Sequence, residues 1–183
     1  MSGLISRRIF NLMLPAGVLL GGCPTTRASN PTAAQVVDRI HAQLRAEGVN
    51  ILPSERTVDT FKVGDINRAV TGIATTWMAS FEVMRRAQRA GLSMIISHEP
   101  TFYSHSDAIT ALSNDATFET KRAFAEEHGM VIWRFHDHWH ARRPDPIFKA
   151  LGEKLGIAGY SNPGGGFDLP PTRFIDVVTQ FQR

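Results

Sequence analysis

Apolar and polar positions along this chain switch between a helical and a strand period, and the switches mark its elements. Asn30-Pro31 is a helix start, a capping side chain followed by proline in the first turn, and Val36, Val37, Ile40 and Leu44 recur at helical spacing to a stop at Gly48. Ile51 to Asp65, with Pro53, reads as loop, whereas Ala69 to Thr76 is rich in β-branched residues and predicts a strand. Ser80 caps a predicted helix with Phe81, Met84 and Ala87 inward, ending at Gly91, and Ser93 to Ser97 is a short apolar-centred strand. A third helix, Asp115 to His128, stops at Gly129 and feeds a strand over Met130 to Phe135.

This alternation of strand and crossover helix predicts an α/β fold, a parallel or mixed sheet flanked by helices. Asp145-Pro146 starts another helix that ends at Gly156, and Gly164-Gly165-Gly166 is a loop. Pro170-Pro171-Thr172 opens a last helix with Phe174, Val177, Val178 and Phe181 on one face. That pattern reaches Arg183 with neither a glycine cap nor a following strand, so the domain over residues 31–183 is expected to be incomplete at its C-terminal side.

The first 30 residues read as an export signal. Ser6-Arg7-Arg8-Ile9-Phe10 is a twin-arginine pattern, and the apolar stretch that follows to Leu20 is interrupted by Pro15 and too short to span a bilayer. Leu20-Gly21-Gly22-Cys23 resembles a lipobox, which would make Cys23 an acylated lipid anchor; the alternative is a plain signal peptide cut nearer Ala28. The expected location is therefore exported, periplasmic or tethered to a membrane by lipid. With one cysteine the domain has no internal disulfide. The formal net charge of +3 falls to +1 once Arg7 and Arg8 are removed, and no basic run is interleaved with aromatics, so no nucleic-acid partner is expected.

Chemistry concentrates at two predicted strand ends. His136-Asp137-His138-Trp139-His140 follows the run Met130 to Phe135, and Ser97-His98-Glu99-Pro100 follows Met94 to Ile96. Ligands of open sheets bind beyond the carboxyl ends of the strands. If the backbone stays extended past Phe135, the side chains at 136, 138 and 140 share one side. Imidazole with carboxylate suits zinc, manganese or iron, and the scarcity of cysteine argues against a thiolate site. Two ions about 3.5–4 Å apart can share a water and turn it into a nucleophile. The candidate ligands are His98, Glu99, His136 and His140; His138 is the candidate catalytic residue, an extra ligand or proton shuttle. Asp137 is placed as an orienter of a ligating imidazole, Trp139 as a pocket wall or core residue, and His41, His105 and His128 as ordinary surface or core histidines. No nucleophile elbow, phosphate-binding glycine loop or dinucleotide fingerprint is present.

From Pro31 to Arg183 these landmarks resemble the dinuclear metal centre hexameric proteins, also called GTP cyclohydrolase I type 2 homologues. Asp59 to Gly64-Asp65 is similar to the family's early Asp-x-x-x-x-Gly segment, Val70 to Thr76 to its first core strand, and Leu92 to Pro100 to its strand ending in His-His-Pro. Glu99 stands where the family has the second histidine, and His140 stands at the aspartate position of a motif similar to His136–His140. This exchange shifts the expected bridging role onto Glu99. The family also supplies a histidine and a glutamate from a C-terminal region without counterpart before Arg183. The resemblance implies two divalent transition metal ions, a homo-hexamer built from trimers, and a metal-dependent hydrolase acting on an unidentified small polar substrate through activated water. The rival expectation is a non-catalytic metal-binding or scaffold protein.

Overall fold

The structure, a computed structural model, describes residues 29–182; the Arg7-Arg8 pattern and Cys23 lie outside the described residues. Helix α1 (Ala33–Ala46) begins at Thr32, whose hydroxyl accepts the Gln35 N–H at 3.2 Å while the Gln35 side chain accepts the Thr32 N–H at 3.0 Å. This reciprocal cap satisfies two donors that a first turn leaves free, and it starts the helix just beyond the predicted Asn30-Pro31.

Four strands follow, β1 (Phe61–Val63), β2 (Ile73–Thr76), β3 (Met94–Ser97) and β4 (Val131–Arg134), in the order β1-β4-β3-β2. β2, β3 and β4 are parallel and β1 runs antiparallel to β4, so the sheet is mixed. The parallel strands are joined through α2 (Phe81–Arg89) and α3 (Ala116–Glu127), capped by Ser80 and Asp115. Because side chains alternate along a strand, Met94, Val131 and Trp133 pack with Val36 and Val37 of α1, while Ile95 and Ile132 face Met84 and Ala87 of α2 and Ala125 of α3. Each large side chain sealed this way contributes roughly 1.5–3 kcal/mol. All four residues of β4 are buried, Arg134 included.

Three local differences from the sequence pattern have physical causes. The predicted loop over 51–65 contains β1, whose three residues are too short to display a period of two and whose pairing, Phe61 with Trp133, is long-range. The predicted strand over 69–76 shortens to Ile73–Thr76, since Ala69 and Val70 bind the start of α1 instead, Val70 donating to Pro31. Past Phe135 the chain coils into α4 (Asp137–His140) rather than staying extended. α5 (Pro146–Lys154) and α6 (Phe174–Phe181) complete the described chain. The expected apolar face of α6 is left open, with no residue of that helix buried. Among the described residues no helix is long and apolar enough to cross a membrane.

Candidate metal centre

Ser97 of β3 and Arg134 of β4 are register partners, so the parallel strands end at the same rim and deliver His98 and His136 together. α4 adds His140. Its backbone N–H donates to the His136 carbonyl at 3.0 Å, one helical turn, which puts residues four apart on one face. The ring centroids lie 4.6 Å apart for His98 and His136, 4.8 Å for His136 and His140, and 5.0 Å for His98 and His140. One donor atom from each falls within 4.8 Å of the others, a group able to hold a metal ion.

The proton positions follow from the partners. His98 Nδ1 lies 3.1 Å from the Phe135 carbonyl, which can only accept, so Nδ1 carries the proton and Nε2 its lone pair. His140 Nδ1 donates to Asp145 Oδ2 at 2.6 Å, and His136 Nδ1 donates to Asp137 Oδ1 at 2.9 Å. Both carboxylates fix the tautomer and orientation of a ring, as carboxylates behind metal-bound histidines do. The Nε2 atoms of His98 and His140 face each other at 3.2 Å, an approach that requires either a shared proton or a metal ion between them, because two bare lone pairs at that distance repel. Burial holds the His98 pKa below its ordinary value, and the neighbouring His136 and His140 push in the same direction, so neutral solution leaves this ring free of a second proton. Burial would raise the pKa values of Asp137 and Asp145. Hydrogen bonds outweigh it, from Val58, His136 and Thr57 in the first case and His140 and Ile147 in the second, and both carboxylates stay below the usual range.

His138 turns the other way. It is 1% exposed, its Nδ1 donates to Asp59 Oδ2 at 2.6 Å and its Nε2 accepts the Leu52 N–H at 2.9 Å. Both nitrogens are consumed, which leaves none for the ligand or shuttle role expected of it. The shared face predicted for 136, 138 and 140 requires an extended chain; the helical turn keeps 136 and 140 together and rotates 138 into the interior. Asp59 imposes that turn by accepting the N–H groups of His136, Asp137 and His138 at 2.7–2.9 Å. It acts as a helix cap supplied from the segment that leads into the neighbouring strand β1.

The structure does not bring Glu99 into the donor group. Its carboxylate lies 3.8 Å from the guanidinium of buried Arg134, which also donates to the backbone oxygens of His98 and His105. A fully buried cation needs a counter-charge, and Glu99 supplies it. His105, expected to be an ordinary histidine, lies 5.1 Å from His136 between ring centroids and forms a second possible donor group with His136 and Asp137. Trp139 packs edge-on to Phe135, as a wall residue would. Asp145 gave no sign of its role beyond capping α5; its position five residues after His140 was the available hint.

No protein family profile and no curated protein matches the sequence. The fold is similar to that of solved structures. A Bacillus cereus protein described as related to NIF3 superposes with a TM-score of 0.53 at 18% identity, over 71% of this chain and 34% of that one. Hypothetical protein SA1388 of Staphylococcus aureus gives 0.52 at 18%, over 69% and 39%. TTHA1606 from Thermus thermophilus gives 0.53 at 15%, over 81% and 59%. This chain thus spans less than two thirds of the length of each, and at these identities the likeness establishes a common α/β fold.

Proposed function

We propose that this chain belongs with the NIF3-related, dinuclear metal centre proteins and binds a divalent transition metal ion through His98, His136 and His140, acting as a metal-dependent hydrolase on a small polar substrate. The observation that carries this reading is the pair of Nε2 atoms facing each other 3.2 Å apart, with both Nδ1 atoms already donating to protein oxygens. Three imidazoles with no thiolate suit zinc, and iron or manganese next, and three protein ligands leave a coordination position for substrate or water. When bound, the ion supplies Lewis-acid chemistry, polarising a substrate oxygen and acidifying water. The chain's own part is to hold the rings: Phe135, Asp137 and Asp145 fix their protons, and Trp77, tilted against His98 with ring centroids 4.5 Å apart, covers one side of the site.

A second ion belongs to the same proposal, near His105 and Asp137. His136 is common to both groups, and a neutral imidazole has one lone pair, so the second ion binds more weakly than the first. Glu99 can take the bridging role only by releasing Arg134. Export, the lipid anchor at Cys23 and the homo-hexamer remain proposals, supported by the Arg7-Arg8 pattern and the family resemblance.

One observation favours the non-catalytic reading. Asp137 and Asp145 are both committed to orienting imidazoles, so neither stands free as a base, and an ion here can serve stability without turnover. Metal quantification joined to a hydrolysis screen of phosphodiesters, nucleotides and cyclic amides separates the two. Turnover lost in His98→Ala and His140→Ala supports the hydrolase; bound zinc that raises the melting temperature without turnover supports the alternative. Absence of bound metal, with no zinc-dependent change in melting, rejects both.

A further inference from the structure

A cavity of about 470 Å³ opens beside the imidazole cluster, with His140 and Asp145 in its wall. We propose that it receives the body of the substrate, a small molecule with a flat apolar ring and one anionic group, its reacting end at the His140 ion. This rests on the metal reading above. The volume falls within the range of small-molecule pockets.

The ring is argued from two aromatic walls. Phe148, on the first turn of α5, is 38% exposed and lines the cavity, as does Phe167. Phe167 is fixed by its bridge to Ser161 and by close packing on Gly152, where a Cβ would stand 2.6 Å from the ring. Glycine at 152 therefore sets how near that wall approaches α5. A flat ring entering between these walls removes apolar surface that the free protein leaves in water.

The anion is argued from charge. Asp145 is occupied by His140 Nδ1 and by the N–H groups that open α5. Glu153 lies 4.0 Å from Lys149. Arg143 commits Nη1 to the carbonyls of His140 and Arg142, and among the described residues no carboxylate lies within ion-pair distance of it. The remaining donors of this guanidinium, with the ion, favour a carboxylate or phosphate-like group.

The test uses the zinc-loaded full chain, with zinc content measured in every sample, and titrates phenylphosphonate against methylphosphonate by calorimetry. Covering a phenyl ring predicts binding about 10- to 100-fold tighter for phenylphosphonate. Phe148→Ala is expected to erase that ratio, whereas Arg143→Ala weakens both ligands and keeps it; Arg143→Gln repeats the arm should the alanine variant unfold. Equal binding of the two phosphonates, or a ratio that survives Phe148→Ala, overturns the inference while retained zinc leaves the metal reading standing. Failure of the wild-type chain to take up zinc overturns both.

Discussion

His138 and His140 are two residues apart on one short helical turn, yet their surroundings give them opposite work. His138 is sealed between Asp59 and Leu52, each nitrogen matched to a protein partner, whereas His140 has Nδ1 held by Asp145 and Nε2 aimed at another bare nitrogen. The first arrangement closes a structural joint; the second leaves an unmet demand for positive charge. What separates them is whether the last lone pair has a donor, and residue type alone does not say.

The largest effect expected is from Asp59→Ala, which removes a carboxylate from a buried pair and strips three N–H groups of their acceptor. Each orphaned donor costs about 1–3 kcal/mol, so the variant should lose at least about 3 kcal/mol, read by denaturant unfolding, and lose zinc binding as well, because the turn that aligns His136 with His140 goes with it. Zinc affinity left intact would show that the turn forms without Asp59.

His138→Ala sharpens the contrast. Each buried partner left unpaired costs about 1–3 kcal/mol, so the variant should melt early while its zinc stoichiometry stays that of the wild type. His140→Ala is expected to do the reverse, with metal-free melting unchanged and zinc retention lost in equilibrium dialysis. Asp145→Asn, which leaves a weaker acceptor behind the ring, should lower zinc affinity about 10- to 100-fold.

The smallest effect is that of pH. Asp137 and Asp145 have folded pKa values below their unfolded ones, so their contribution is present above about pH 4 and is lost as acid takes the medium down through the lower folded values. His98 shifts in the same downward direction but is a base, so the folded protein resists its protonation. The stability tied to its neutral ring is present above the unfolded value of 6.5 and declines as pH falls below it. Thermal melts of the metal-free protein across pH 3–8 check both signs.

Much of the fold was legible because its signals are local. Ser80, Asp115 and Asp145 cap the helices they were expected to open, and the apolar runs ending at Ser97 and near Phe135 are the two central strands. The same runs brought His98 and His136 to one rim, and the turn of α4 added His140. What failed to show was set by distant partners. β1 exists through β4, α4 coils because a carboxylate some 77–79 positions away collects its N–H groups, and Glu99 turns from the imidazoles to a buried guanidinium. A strand period continued past Phe135 assigned His138 to the wrong side for the same reason. His105 lies in an irregular segment, where spacing carries no directional information.

The grip of Asp59 on the turn has a further outcome for how an ion arrives. Since the joint closes with protein groups alone, the imidazoles are preorganised, and capture need not recruit folding energy or reorder the chain. A chelator should therefore empty the centre while circular dichroism stays constant, and refilling should be limited by encounter with the ion rather than by refolding.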